Sequence, residues 1–221
     1  MEWLIRCNFI RCQSFTAALP MAKAKVILLC TLAAITYGIV HDQITAHLCV
    51  EYFTIAHPPL FHTESPTMLG FCWGIAATIG IGVVLGAVLA EVSQSKGPPP
   101  YPISRLGRRL LVLLGVMGLM AFLSGVLGFQ LSRHSLVSLP ITLEYQIPPD
   151  RHDRFMAVWF AHCASYLFGL AGGAFLIFRI WLQRGKPNIL ELAPGTVAGK
   201  ARALAIFALA ALILYWRFAR S

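Results

Sequence analysis

Charged side chains are scarce in this chain. They make up 12% of its 221 residues, and only 9 of them are acidic, whereas an ordinary soluble domain carries about 25%. With 57% of its residues hydrophobic, a chain of this size cannot hide its apolar surface from water, which excludes a water-soluble fold and makes lipid the solvent. Sequence motifs that carry chemistry are missing too. There is no nucleotide-binding loop, no hydrolase elbow, no zincin histidine pair and no desaturase-type set of histidine boxes, so an enzymatic reading has no motif of its own. Cysteine supplies no disulfide framework. Of the six, Cys30, Cys72 and Cys163 fall inside apolar runs and read as small core residues, while Cys7-x4-Cys12 is too isolated a pair for a metal site.

What the chain does have is long apolar runs, and these predict an all-α, polytopic transmembrane helix bundle. Four spans are clear, at about 26–48, 67–90, 110–131 and 155–182, and a shorter run covers 203–216. At ~1.5 Å per residue, each of the first four crosses a hydrocarbon core of ~30 Å. The fifth, 14 residues long, is expected as a thin or tilted span or a re-entrant piece, because its apolar character on all sides argues against a surface helix. Residues 1–20 read as an N-terminal extension. Met21 stands directly before the Lys23-x-Lys25 flank, as a start would, and the run after it has the character of an uncleaved signal anchor. Residues 21–221 then form one transmembrane domain.

The formal charge of +9 lies beside the apolar runs, which encodes orientation in a bilayer and excludes nucleic acid as the partner. A cytoplasmic N-terminus places thirteen basic residues inside: Arg6, Arg11, Lys23, Lys25, Lys96, Arg105, Arg108, Arg109, Arg179, Arg184, Lys186, Lys200 and Arg202. Only Arg133, Arg151 and Arg154 then sit in the outer loops. Five spans put the tail, with Arg217 and Arg220, outside.

All seven histidines, at 41, 47, 57, 62, 134, 152 and 162, fall in the outer loops or the outer halves of spans one and four. They are densest in Val40-His-Asp-Gln-Ile-Thr-Ala-His-Leu-Cys-Val-Glu-Tyr-Phe53. If the first helix continues through that stretch, each residue turns by ~100°. Tyr37, His41, Asp42, Thr45, Cys49 and Tyr52 then share one broad face, and His47 and Glu51 form a stripe beside it. On span four, His162, Ser165, Tyr166, Gly169 and Gly173 share a face, and the glycines let another backbone approach. An ionisable group in a bilayer costs roughly 2.5–3.5 kcal/mol on insertion scales and usually faces the bundle interior.

Three roles follow for such a cluster. His41, Asp42, His47, Glu51 and His162 are ligand types for a transition metal, with Tyr37 and Tyr166 lining the site. Two histidines from different helices can hold a haem iron. An Asp–His pair polarised by a tyrosine can move protons or act as a base in a small transporter. Against all three stands a purely structural lock between helices one and four, as in a membrane subunit of a larger complex. The partners expected are the lipid bilayer and a membrane protein or a second copy of the chain.

Smaller features complete the reading. Gly82-x-x-x-Gly86 and Ser124-x-x-x-Gly128 have the spacing of close helix packing inside the bundle. Lys96-Gly-Pro-Pro-Pro-Tyr-Pro102 is a stiff inner spacer. The outer loop over 138–149 alternates apolar and polar residues and is expected as an extended flap over the mouth of the site. His57-Pro-Pro59 closes the helical stretch before it.

The pattern Tyr37-Gly-x-x-His41-Asp42-x-x-Thr45-x-x-x-Cys49-x-Glu51-Tyr52-Phe53-Thr54-x-x-His57-Pro58, with a Trp- and Gly-rich second span and a late His162-x-x-Ser165-Tyr166, resembles a family of small bacterial polytopic membrane proteins. The resemblance covers roughly 21–184. It implies an inner-membrane location and no activity.

Overall fold

The computed structural model describes residues 2–95 and 99–184, with side chains from Met21 onward. Every regular element among the described residues is helical: α1 (Glu2–Leu48), α2 (Glu51–Thr54), α3 (Pro66–Gln94), α4 (Ile103–Arg133), α5 (Ile141–Glu144) and α6 (His152–Arg184), the last continuing a single 3-10 turn at Pro149–Arg151. Four segments, Met21–Leu48, Pro66–Gln94, Ile103–Arg133 and Pro149–Arg184, are long and apolar enough to cross a membrane. These are the four clear spans expected, the first extended at its N-terminal end and the other three at both ends. The run at 203–216 lies outside the described residues.

Start signals explain the helix limits. At α3, Ser65 accepts a hydrogen bond from the Met68 amide at 3.5 Å and Pro66 follows at the first helical position, where a missing N–H costs nothing. At α4, Pro102 supplies an extended residue, and its carbonyl takes the amides of Arg105 and Leu106.

Two expectations about the segments between the spans are corrected. The first helix does not run on to Tyr52: it ends at Leu48, and Glu51–Thr54 forms a separate turn. Nothing in the local sequence demands that break. At the turn the Cys49 thiol donates to Glu51, two residues on, at 3.2 Å, and Glu51 meets Arg151, a hundred residues away, at 3.5 Å, so a tertiary partner helps to override helix propensity. The 138–149 loop is not extended either. Pro140 starts a helical turn whose first amides, from Leu143 and Glu144, bond to the Pro140 carbonyl, and the alternation serves to bury Leu139 and Ile147 against Cys49, Phe155, Met156 and Val158.

The long helices pair as two hairpins, α1 with α3 and α4 with α6, and each pair packs along its length far more closely than the two hairpins pack on each other. Missing side chains bring α1 and α3 together. A methyl group on Gly74 would stand 2.6 Å from the Ile39 backbone, on Gly82 2.8 Å from Thr31 Cα, and on Gly86 2.9 Å from Ile27 Cα. The Gly82-x-x-x-Gly86 spacing thus packs within this chain. In the second hairpin, Gly125 and Gly128 meet the carbonyls of Ala157 and Met156 in the same way.

At the end where α3 stops and α4 begins, all four long helices contribute to one apolar core, from Val26 and Cys30 through Leu89, Leu106 and Leu110 to Leu176 and Ile180. Arg184 closes that end. Its guanidinium donates to the carbonyls of Val92 (2.7 Å), Ser95 (2.8 Å) and Pro99 (3.2 Å) and to Ser95 Oγ (2.5 Å), satisfying carbonyls that the end of α3 leaves without helical partners. The bundle exterior carries large apolar side chains such as Leu111 (69% exposed), Phe122 (67%) and Leu170 (67%), a surface that lipid rather than water covers.

Candidate metal centre

Halfway between that core and the α2 end, α1 turns Tyr37, His41 and Asp42 toward His162 and Ser165 of α6. Helical spacing sets the arrangement: Tyr37 and His41 are four residues apart, His162 and Ser165 three, so each pair lies on one face. Asp42 and His162 are buried, at 6% and 5% exposure. A carboxylate so placed is costly unless compensated.

Hydrogen bonding fixes which nitrogens are free. His162 Nδ1 lies 2.9 Å from the Val158 carbonyl, and since a carbonyl only accepts, that nitrogen carries the proton. In the neutral ring, Nε2 therefore holds a lone pair, and it faces Asp42 Oδ1 at 3.3 Å. Two acceptors meet there, and only a proton or a metal cation between them makes the contact favourable. His41 Nδ1 makes a long contact of 3.5 Å to Ser165 Oγ, which also lies 2.7 Å from the Tyr37 hydroxyl. His41 Nε2 is buried with no hydrogen-bond partner.

One ligand atom from each of His41, Asp42 and His162 can be chosen so that all three lie within 4.8 Å of one another. Two ligands each about 2.1 Å from a tetrahedral ion are about 3.4 Å apart, close to the Asp42–His162 separation. Both imidazoles are tethered through Nδ1, the outer-shell arrangement that orients metal-binding histidines. Haem does not fit. The two imidazoles stand edge to face with centroids 4.6 Å apart, which leaves no room for a porphyrin between them.

The remaining candidates sort by position. Tyr37 joins the site through Ser165. His47 faces α3: its Nδ1 donates to the Gln43 carbonyl at 2.7 Å and its Nε2 meets Thr67 Oγ1 at 3.2 Å. Glu51 lies on α2, engaged by Arg151 and the Cys49 thiol. Tyr166 is 45% exposed on α6, at the rim rather than inside.

Tyr52 and Phe53, from α2, roof the site, with ring centroids 4.5 and 5.7 Å from His162. Burial pushes the Tyr52 phenol well above its ordinary range, and the nearby Cys163, Tyr166 and Asp42 add to the rise, so it stays protonated. The roof role of Phe53 and the grip of Arg151 on Glu51 were not legible in the sequence. Both follow from α2 folding back, for which no local signal exists. Comparison with protein-family models, curated proteins and solved structures returns no match for this chain.

Proposed function

We propose that this protein, lodged in the bacterial inner membrane with its N-terminus in the cytoplasm, holds a divalent transition-metal ion at His41, Asp42 and His162 near the outer face. The imbalance of lysine and arginine across the loops supports the orientation, and the Tyr37 to Pro58 pattern supports the family and the membrane. One observation carries the metal reading: the buried His162 Nε2 faces a carboxylate at 3.3 Å, beside a buried His41 Nε2 with no partner. Such a constellation calls for a cation.

Two imidazoles and one carboxylate suit zinc, iron(II) or manganese, and three protein ligands leave coordination positions open, as catalytic rather than closed structural sites do. The ion would supply Lewis acidity there. The chain's own residues set the ligand geometry: Val158 holds the His162 proton at Nδ1, and Ser165, itself bonded to Tyr37, steadies His41. A through-path for ions is not supported. Beyond Tyr37 the bundle closes on the apolar core of Val26, Cys30, Leu89, Leu106 and Leu176, which among the described residues holds no Asp, Glu, His, Lys or Arg.

The test is metal content after purification from membranes without chelator or histidine tag, for the wild type and a His41→Ala/His162→Ala variant. Near-stoichiometric metal in the first and none in the second is expected. A wild-type protein free of metal would overturn this reading and leave Asp42 and His162 sharing a proton.

A further inference from the structure

A site this buried needs an entrance. Toward α3 and α4 the four-helix core blocks it, and the flanks of the long helices face lipid. On the remaining side stands α2, a single turn of four residues. It is set off from α1 by Cys49 and Val50, and the irregular stretch from Ile55 to Ser65 follows it. Tyr52 and Phe53 roof His162 from this turn, and Tyr52 leans on Phe155 at 5.4 Å.

What holds the turn down on its polar side is the Glu51–Arg151 ion pair. Its separation is 3.5 Å, the two side chains are 16% and 38% exposed, and Asp150 competes for the same guanidinium nitrogen at 3.5 Å. A partly exposed pair at this separation, with a second acid competing for the same nitrogen, holds weakly. A one-turn helix between an irregular link and a loop makes few helical hydrogen bonds, so the turn is seated mainly by Tyr52 and Phe53, and short elements of this kind are those from which moving lids are drawn.

We infer that α2 is a lid over the His41–Asp42–His162 site, latched by Glu51 and Arg151, and that a metal ion enters and leaves from the outer face when the turn lifts Tyr52 and Phe53 off His162. The inference rests on the metal reading for its cargo but not for its motion. Two measurements separate the two. In stopped-flow mixing of metal-free protein with Co2+, read by the visible bands of the bound ion, Arg151→Ala should raise the rates of uptake and of release at least tenfold while one ion is still bound. Rates equal to wild type with one ion bound would overturn the lid.

In the metal-free protein, backbone hydrogen exchange over 49–57 should rise at least tenfold in Arg151→Ala, with 26–34 unchanged. Unchanged exchange over 49–57 would overturn the lid whatever the metal result. Failure of the wild type to take up Co2+, with exchange raised in the variant, would overturn the role of α2 as an entrance for ions and the metal reading with it, leaving only a mobile turn.

Discussion

His162 meets Asp42 with the ring nitrogen that its bond to Val158 leaves over. Its Nδ1 is committed to the Val158 carbonyl, so Nε2 and a carboxylate oxygen face each other at 3.3 Å in a buried site. Whatever sits between them must be positive.

An isosteric change at Asp42 isolates that requirement. In Asp42→Asn the new amide can donate to His162 Nε2, so stability should stay within about 1 kcal/mol of wild type, while metal is lost along with its anionic ligand. Asp42→Ala leaves the lone pair buried and unpaired, which should cost about 1–3 kcal/mol. Thermal unfolding in detergent, alongside metal content, reads both. Equal stability in the two variants would show that the site does not hold the helices together.

The α1–α3 seam leaves no space for a side chain at Gly74, where a methyl would press on the Ile39 backbone at 2.6 Å. Gly74→Ala should therefore destabilise by about 1–3 kcal/mol, the usual cost of overpacking. Gly80→Ala is the control, since a methyl there meets nothing within 4 Å, and the same melting experiment should find it neutral or slightly stabilising.

Arg184 gathers acceptors from Val92, Ser95 and Pro99. Arg184→Ala should cost about 1.5–3 kcal/mol, the range for hydrogen bonds to a charged group. Arg184→Lys should recover only part of that, because an ammonium lacks the planar fork that reaches several acceptors at once. Full recovery by lysine would reduce the role of Arg184 to that of a point charge.

Cys49 gives a prediction about pH. Burial, then the hydrogen bond and charge of Glu51, push its thiol from an ordinary 9.0 up to about 12. Below pH 9 the thiol is protonated in folded and unfolded chains alike and its contribution to stability is fully present. Between pH 9 and about 12 the unfolded chain ionises first, so that contribution is lost as pH rises. Alkylation of Cys49 at pH 8 should be slow in the native protein and faster in Glu51→Gln, as mass spectrometry of the labelled peptide would reveal. Equal rates would remove Glu51 from the account.

Much of this could be read from the residues alone. Apolar length fixed the four spans, and the helical period put Tyr37, His41 and Asp42 on one face and His162 and Ser165 on another, before any pairing of helices was known. His47 and Glu51 show where the period stops helping. They are the right residue types at the right spacing, but His47 bonds to Thr67 of α3, and Glu51 lies off the helix, where Cys49 two residues back and Arg151 from far along the chain engage it. Haem was a fair expectation from two histidines on two helices and failed on a ring separation that no sequence encodes.

The two-hairpin plan also sets when the site comes into being. The chain emerges from the ribosome N-terminus first, and the glycine seam lets α1 and α3 settle against each other while α6 is still unmade. His41 and Asp42 are then already in place without their counterparts, since Ser165 lies 124 residues beyond His41. If the site takes the ion proposed for it, capture would mark the completed chain, because a product that lacks α6 keeps His41 and Asp42 but not His162.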